Sequence, residues 1–151
     1  MRDSPRIVRP VTAADRAQWE PLWVGYNAFY GRPSLPSEIT EATWSRFLDP
    51  TEPVHALVAE EEGRLLGLAH YLFHRSTIFV GPTCYLQDLF TSEEARGRGV
   101  GRSLIESVSE RAAEGGARRV YWHTHESNAT AMRLYDRVAE RSGFVVYRRN
   151  L

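Results

Sequence analysis

Residues 96–102 place three glycines and three arginines in seven positions (Arg96, Gly97, Arg98, Gly99, Val100, Gly101, Arg102), directly before a run that reads as a helix. Such a stretch suits an anion. Glycines let the main chain approach closely and adopt positive φ, and a helix start presents unpaired N–H groups at the positive end of its dipole. Three phosphate-binding patterns can be laid on it. A Walker loop aligned on Gly101 needs a glycine five positions earlier and a lysine directly after, where this chain has Arg96 and Arg102. The dinucleotide pattern G-x-G-x-x-G fails at its third glycine, where Arg102 or Leu104 stands depending on register. The pattern R/Q-x-x-G-x-G/A is met throughout, by Arg96, Gly99 and Gly101. Six residues alone also describe a plain Gly/Arg turn, and Arg98 and Arg102 read equally well as solvated surface.

The context decides between these. The pattern follows the strand-like "CYLQDLFT" and precedes a helical run that ends at Gly115-Gly116. With "YLQDLF" before it and "VYWHTHESNATAMRLYDRVAERSGF" after it, the chain resembles the GNAT superfamily of N-acetyltransferases, and most nearly its small-amine (polyamine and amino-acid) subgroup. The likeness is strong from about residue 83 onward and rests on element order alone before that. It implies an α/β (α+β) fold with a mixed, mostly antiparallel central sheet, splayed strands and flanking helices. It also implies acetyl-CoA as co-substrate, no metal, and direct attack on the thioester by the amine of a small molecule within a ternary complex.

The resemblance also assigns residues. Arg96 and the backbone amides of Gly97, Arg98, Gly99, Val100, Gly101 and Arg102 would hold the pyrophosphate. Leu89, Phe90 and Thr91 form the strand segment beside the pantetheine arm, with Leu89 N–H the expected donor to the thioester oxyanion. Asn128 would hydrogen-bond the arm, and Tyr135, seven residues on and so on the same helix face, would protonate the departing thiolate. From the residues alone, Asn128 reads as a helix N-cap and Tyr135 as packing. The relatives carry "YLEDLFV" or similar, so Gln87 replaces a glutamate and cannot act as a base. Asp88, Glu126, His125 and His123 are the remaining candidates for that role. Gln87 and Asp88 are also candidate acceptor contacts. Cys84 has no His partner that the sequence can supply, so a covalent acyl step is not expected.

These groups must be positioned by an alternation of strands and helices. Residues 6–11 read as a strand, with Thr12 as N-cap and Asp15 as the acid of a capping box. A helical stripe follows at Trp19, Leu22, Trp23, Tyr26, Phe29 and Tyr30, with Pro21 inside it as the site of a kink or a later start. A second helix spans about 38–48. Two strands, "VHALVAEE" and "RLLGLAHYLFH", are joined at Glu62-Gly63 as a hairpin. Strict alternation on "CYLQDLFT" places Tyr85, Gln87 and Leu89 on one face and Leu86, Asp88 and Phe90 on the other. "RRVYWHTHE" is the next strand, "NATAMRLYDRVAE" the last helix, and "FVVYRR" a final strand able to mediate a homodimer. The first two helices would roof the acceptor. Tyr26 and Tyr30 are expected in the pocket, able to hold an amine by cation–π contact, and Trp19 and Phe29 in the packing.

Whole-chain properties agree. At 151 residues, 42% of them hydrophobic and 25% charged, the sequence suits one globular domain across 1–151. Nineteen basic residues balance nineteen acidic ones, so the basic excess of a nucleic-acid binder is missing. One cysteine permits no disulfide framework and no Cys-rich metal site. No signal-peptide pattern or membrane-length apolar run is read, so a cytoplasmic location is expected. Besides transfer to a small amine, two alternatives stand: a CoA-binding sensor without transfer, favoured by Gln87, and acetylation of a protein amine.

Overall fold

The computed structural model describes residues 5–151. The chain runs β1 (Ile7–Pro10), a 3-10 turn (Ala13–Asp15), α1 (Arg16–Phe29), α2 (Ser37–Leu48), β2 (Val54–Glu61), β3 (Arg64–His74), β4 (Thr83–Thr91), a second 3-10 turn (Glu93–Ala95), α3 (Val100–Glu114), β5 (Val120–Tyr121) and α4 (Ala129–Val138). The five strands lie in sequence order in one sheet, antiparallel from β1 to β4 and parallel between β4 and β5.

The two faces of the sheet bury different cores. Against Leu104 and Val108 of α3 pack Leu57, Ala59, Ala69, Tyr71, Cys84 and Leu86. Against α1 and α2 pack Val58, Leu65 and Leu68, with Trp19, Trp23, Tyr26 and Trp44 from the helices. The alternation Leu57/Val58/Ala59 divides one strand between both cores, as the two-residue strand period requires. The entry to α1 is tied to β1 by charge. Arg9 makes two bonds to the buried Asp15 carboxylate (2.8 and 2.9 Å), and that carboxylate also accepts from Thr12 N–H at 2.7 Å. The expected cap at Thr12 is therefore present. α1 begins at Arg16 and not after Pro21, because a proline so near a helix start forgoes a single backbone bond.

Three sequence expectations are corrected. First, "FVVYRR" forms no strand: residues 139–151 have no regular structure and stand exposed, Phe144 at 89% and Tyr147 at 93%. An edge strand exists only through its partner, and this segment meets none among the described residues. Second, β5 is two residues long, not the whole of "RRVYWHTHE". Third, β4 does not alternate strictly. The register slips between His70↔Asp88 and Tyr71↔Leu86, leaving Gln87 unpaired and exposed as a β-bulge. Past the bulge the parity inverts. Leu89 joins Cys84 and Leu86 on the α3 face, and Asp88 and Phe90 face α1, with Tyr85 paired to Leu72.

Candidate active site

The glycine segment takes the form its composition demands. Gly97 (φ +77°) and Gly99 (φ +80°) are left-handed, and Gly99 is the N-cap of α3. A side chain is disfavoured in that region, and a Cβ at Gly97 would meet nothing within 4 Å, so the loop faces open space. The first amides of α3 have no acceptor within their own helix and point out of its N-terminus. The arginines divide. Arg96 lies over the Phe90 ring (5.8 Å) and donates to Thr91 O at 3.4 Å. Arg98 is paired with Glu61 (2.5 Å) and Arg102 with Glu106 (3.0 Å) at the surface. Arg6 braces the loop from beneath by donating to Arg98 O at 2.8 Å.

Beside the cradle, β4 and β5 part company. Their pairing is confined to Cys84↔Val120 and Tyr85↔Tyr121. Ser92 N–H donates to Leu66 O at 2.8 Å, which fixes the phase of the β3–β4 ladder. By that phase Phe90 and Asp88 bond toward β3, and the N–H and C=O groups of Leu89 and Thr91 point into the gap. An extended chain can occupy that gap as an added strand, with Leu89 N–H as a donor at its closed end.

On the α1 side of the gap stands Asp88. Its carboxylate accepts from His70 Nδ1 at 2.9 Å. Burial, and secondly the Asp88 charge, keep the proton on the Tyr26 hydroxyl far above the usual phenol range. Tyr26 and Tyr30 ring centroids are 5.0 Å apart. Tyr85 stacks on Tyr121 (4.9 Å), and its hydroxyl meets His123 Nδ1 at 3.2 Å. Tyr26 and Tyr85 thus flank the Asp88 carboxylate.

α4 closes the other side. Asn128 stands at its N-cap position, but the side chain donates to Thr124 Oγ1 (3.3 Å) and does not cap the helix. Tyr135 packs on Trp122, and burial pushes its hydroxyl up to about 12, with neighbouring Tyr30 adding in the same direction. A cleft of about 510 Å³ opens between α1 and α4, lined by Phe29, Tyr30, His125, Ser127, Asn128, Ala129 and Thr130. Phe29, expected in the packing, is 56% exposed at this mouth, because the stripe outlasts the sheet it covers. Trp19 is fully buried, as expected. His125 is held by Ser127 (2.6 Å), and Glu126 stands exposed on the same loop. Burial pushes the Cys84 thiol up to about 11, which leaves no thiolate nucleophile at neutral pH. His70 was missed by sequence reading. A polar residue at mid-strand in "RLLGLAHYLFH" was its only signal.

A glycine cradle at a helix start, beside a parted pair of strands, is the arrangement that the resemblance to the GNAT superfamily implies. The match to the family model described as "Acetyltransferase (GNAT) family" spans residues 18–139. The chain belongs to this family and is an acetyltransferase. It is 39% identical over 146 residues to the D-amino-acid N-acetyltransferase HPA3 of Saccharomyces cerevisiae, covering 95% of this chain and 90% of that protein. It is 33% identical over 89 residues to the thialysine N-epsilon-acetyltransferase of Bos taurus, covering 54% of this chain and 52% of that one. Among solved structures, the aminoglycoside N-acetyltransferase AAC(6')-Iy in complex with CoA superposes with a TM-score of 0.84 at 20% identity, over 99% of this chain and 97% of that one.

Proposed function

We propose that the enzyme moves the acetyl group of acetyl-CoA to the primary amine of a small molecule of the free amino-acid type, within a ternary complex. The observation that carries this reading is Asp88. The bulge at Gln87 turns its carboxylate toward His70 and toward Tyr26 of α1, one residue from Leu89, whose N–H points away from β3. The acceptors named for the yeast and bovine relatives support the same chemical class.

The residues act in the following order. The α3 cradle and Arg96 hold the pyrophosphate, and Leu89 and Thr91 bond the pantetheine arm along β4. Asp88 binds the acceptor ammonium and takes one of its protons, directly or through water, with Glu126 the second candidate for that task. The freed nitrogen lone pair attacks the thioester carbon, and Leu89 N–H stabilises the resulting oxyanion. As the oxyanion collapses and the carbon–sulfur bond breaks, the second proton on nitrogen leaves to solvent to give the neutral amide, and Tyr135 gives its proton to the thiolate and later regains one from solvent. Asn128 contacts the arm at the mouth of α4. Gln87, exposed on the bulge, flanks the acceptor without titrating.

The enzyme acts as a homodimer in this proposal. A groove of about 290 Å³ runs beside β5, walled by Ile105, Ala112, Val120, Trp122 and Val138. The outer edge of β5 pairs with no strand among the described residues, and residues 144–147 of the same chain carry exposed Phe, Val, Val and Tyr. That segment of a second copy supplies a strand for the edge and apolar cover for the groove.

Incubation with acetyl-CoA and a panel of D- and L-amino acids, polyamines and an aminoglycoside, followed by free-thiol detection, tests the activity. Acceptor-dependent thiol release with at least one amino acid is expected. Release that no small amine stimulates would refute the assignment.

A further inference from the structure

His70 is 4% exposed and sits among Trp23, Trp19 and Phe47, with ring centroids 5.4, 6.0 and 4.4 Å away. Packing alone would favour an apolar residue there, because an imidazole buried without partners costs free energy. This one has both nitrogens engaged. Trp19 Nε1 donates to Nε2 at 3.1 Å, and Nδ1 meets Asp88 Oδ2 at 2.9 Å. An indole N–H can only donate, so Nε2 must accept. The ring proton therefore resides on Nδ1 and points at the carboxylate. Trp19 is itself fully buried and clamped between Trp23 (5.7 Å) and Trp44 (4.7 Å), so the orientation of the chain of bonds is set deep inside the helix layer.

We propose that Trp19 and His70 are positioning residues for acetyl transfer: the indole selects the Nδ1–H tautomer of His70, which holds one oxygen of Asp88 and aims the other at the acceptor amine. This inference rests on the role given to Asp88 above. The groups facing Asp88 are His70 from β3 and Tyr26 from α1, with Tyr85 two pairing positions along the same face. Tyr26 and Tyr85 are both protonated at neutral pH, so His70 is the partner whose proton can be on either of two atoms.

Nitrogen-15 NMR of the wild-type enzyme reads the tautomer without any turnover. Nδ1 is expected protonated and Nε2 bare, and Trp19→Phe is expected to populate the Nε2–H form. A wild-type ring protonated at Nε2 overturns the inference and leaves the acetyltransfer reading intact. In kinetics, His70→Asn retains a donor toward Asp88, and His70→Leu retains only bulk. Leucine is expected to lower kcat/KM for the amine by roughly 10- to 100-fold, with KM for acetyl-CoA unchanged, and asparagine to restore most of the loss. In an Asp88→Asn background, His70→Leu is expected to cost nothing further, since the two act as one unit. Equal losses for leucine and asparagine, or additive losses in the double variant, overturn the positioning role.

Discussion

Trp122 and Tyr135 meet edge to face, ring centroids 5.5 Å apart at an interplanar angle of 71°, joining the strand-like segment after β5 to the inner face of α4. Phenylalanine at position 135 can keep that contact and lose only the hydroxyl. Tyr135→Phe should lower kcat by roughly 100-fold or more, the lower range for loss of a positioned acid, and leave acetyl-CoA affinity within about threefold. Burial raises the hydroxyl, so its protonated form persists at every pH below about 12. Any alkaline fall in rate below about pH 11 must then come from another group. Steady-state kinetics over pH with calorimetric titration of acetyl-CoA checks both points, and a loss confined to binding would remove the acid role.

Gly99 caps α3 at φ +80°, where an L side chain costs about 1–2 kcal/mol in backbone energy. Gly99→Ala should therefore relax the first turn of α3 and weaken acetyl-CoA by about tenfold, leaving KM for the amine unchanged. Its melting temperature should fall by a few degrees. Equal weakening toward both substrates would show that the loop does not serve the donor alone.

Asp15 supplies a pH-dependent part of the stability. Arg9 holds its carboxyl down to about 2, whereas the unfolded chain titrates near the usual value of about 4. A depressed acid stabilises the fold above its unfolded value and loses that contribution as pH falls toward the folded one. Asp15→Asn should cost about 2 kcal/mol at pH 7. The gap from wild type should shrink as pH drops from about 4 to about 2. Urea unfolding at several pH values measures it, and a gap independent of pH would contradict the charge pairing.

Removal of residues 142–151 should yield monomers if the exposed tail joins two copies. Light scattering of full-length and shortened protein reads the mass directly. A full-length monomer, or a shortened dimer, rules out the exchange. Val146→Lys provides the milder version, placing a charge in the proposed groove with the chain length preserved.

Much of this organisation is legible in the chain. The hairpin is written in residue types: two apolar-rich runs flank Glu62-Gly63, and β2 and β3 begin and end where those runs do. The cradle is legible because few side chains tolerate positive φ, which makes glycine spacing a strong local signal. Asp88 was misplaced for an equally physical reason. Period-two reasoning carries parity along a strand until a bulge inverts it, and nothing in "YLQDLF" marks Gln87 as the extra residue. Trp19 and His70 are 51 positions apart, and their bond depends on a helix crossing a sheet. The tail reads as a strand because its residues favour one, and the strand needs a neighbour that local composition cannot supply.

The bulge at Gln87 also has a consequence for how such an enzyme diversifies. Past it, in the proposed reading, β4 offers its main chain to one substrate and its side chains to the other, along perpendicular directions. Backbone amides are the same whatever residue carries them, so the contacts proposed for the donor along β4, unlike those at Arg96 and the glycine loop, tolerate substitution. In the proposed reading the acceptor side can be rewritten one side chain at a time, at Tyr26 or Tyr85, with Asp88 kept, and the machinery that holds the acetyl carrier need not be reinvented.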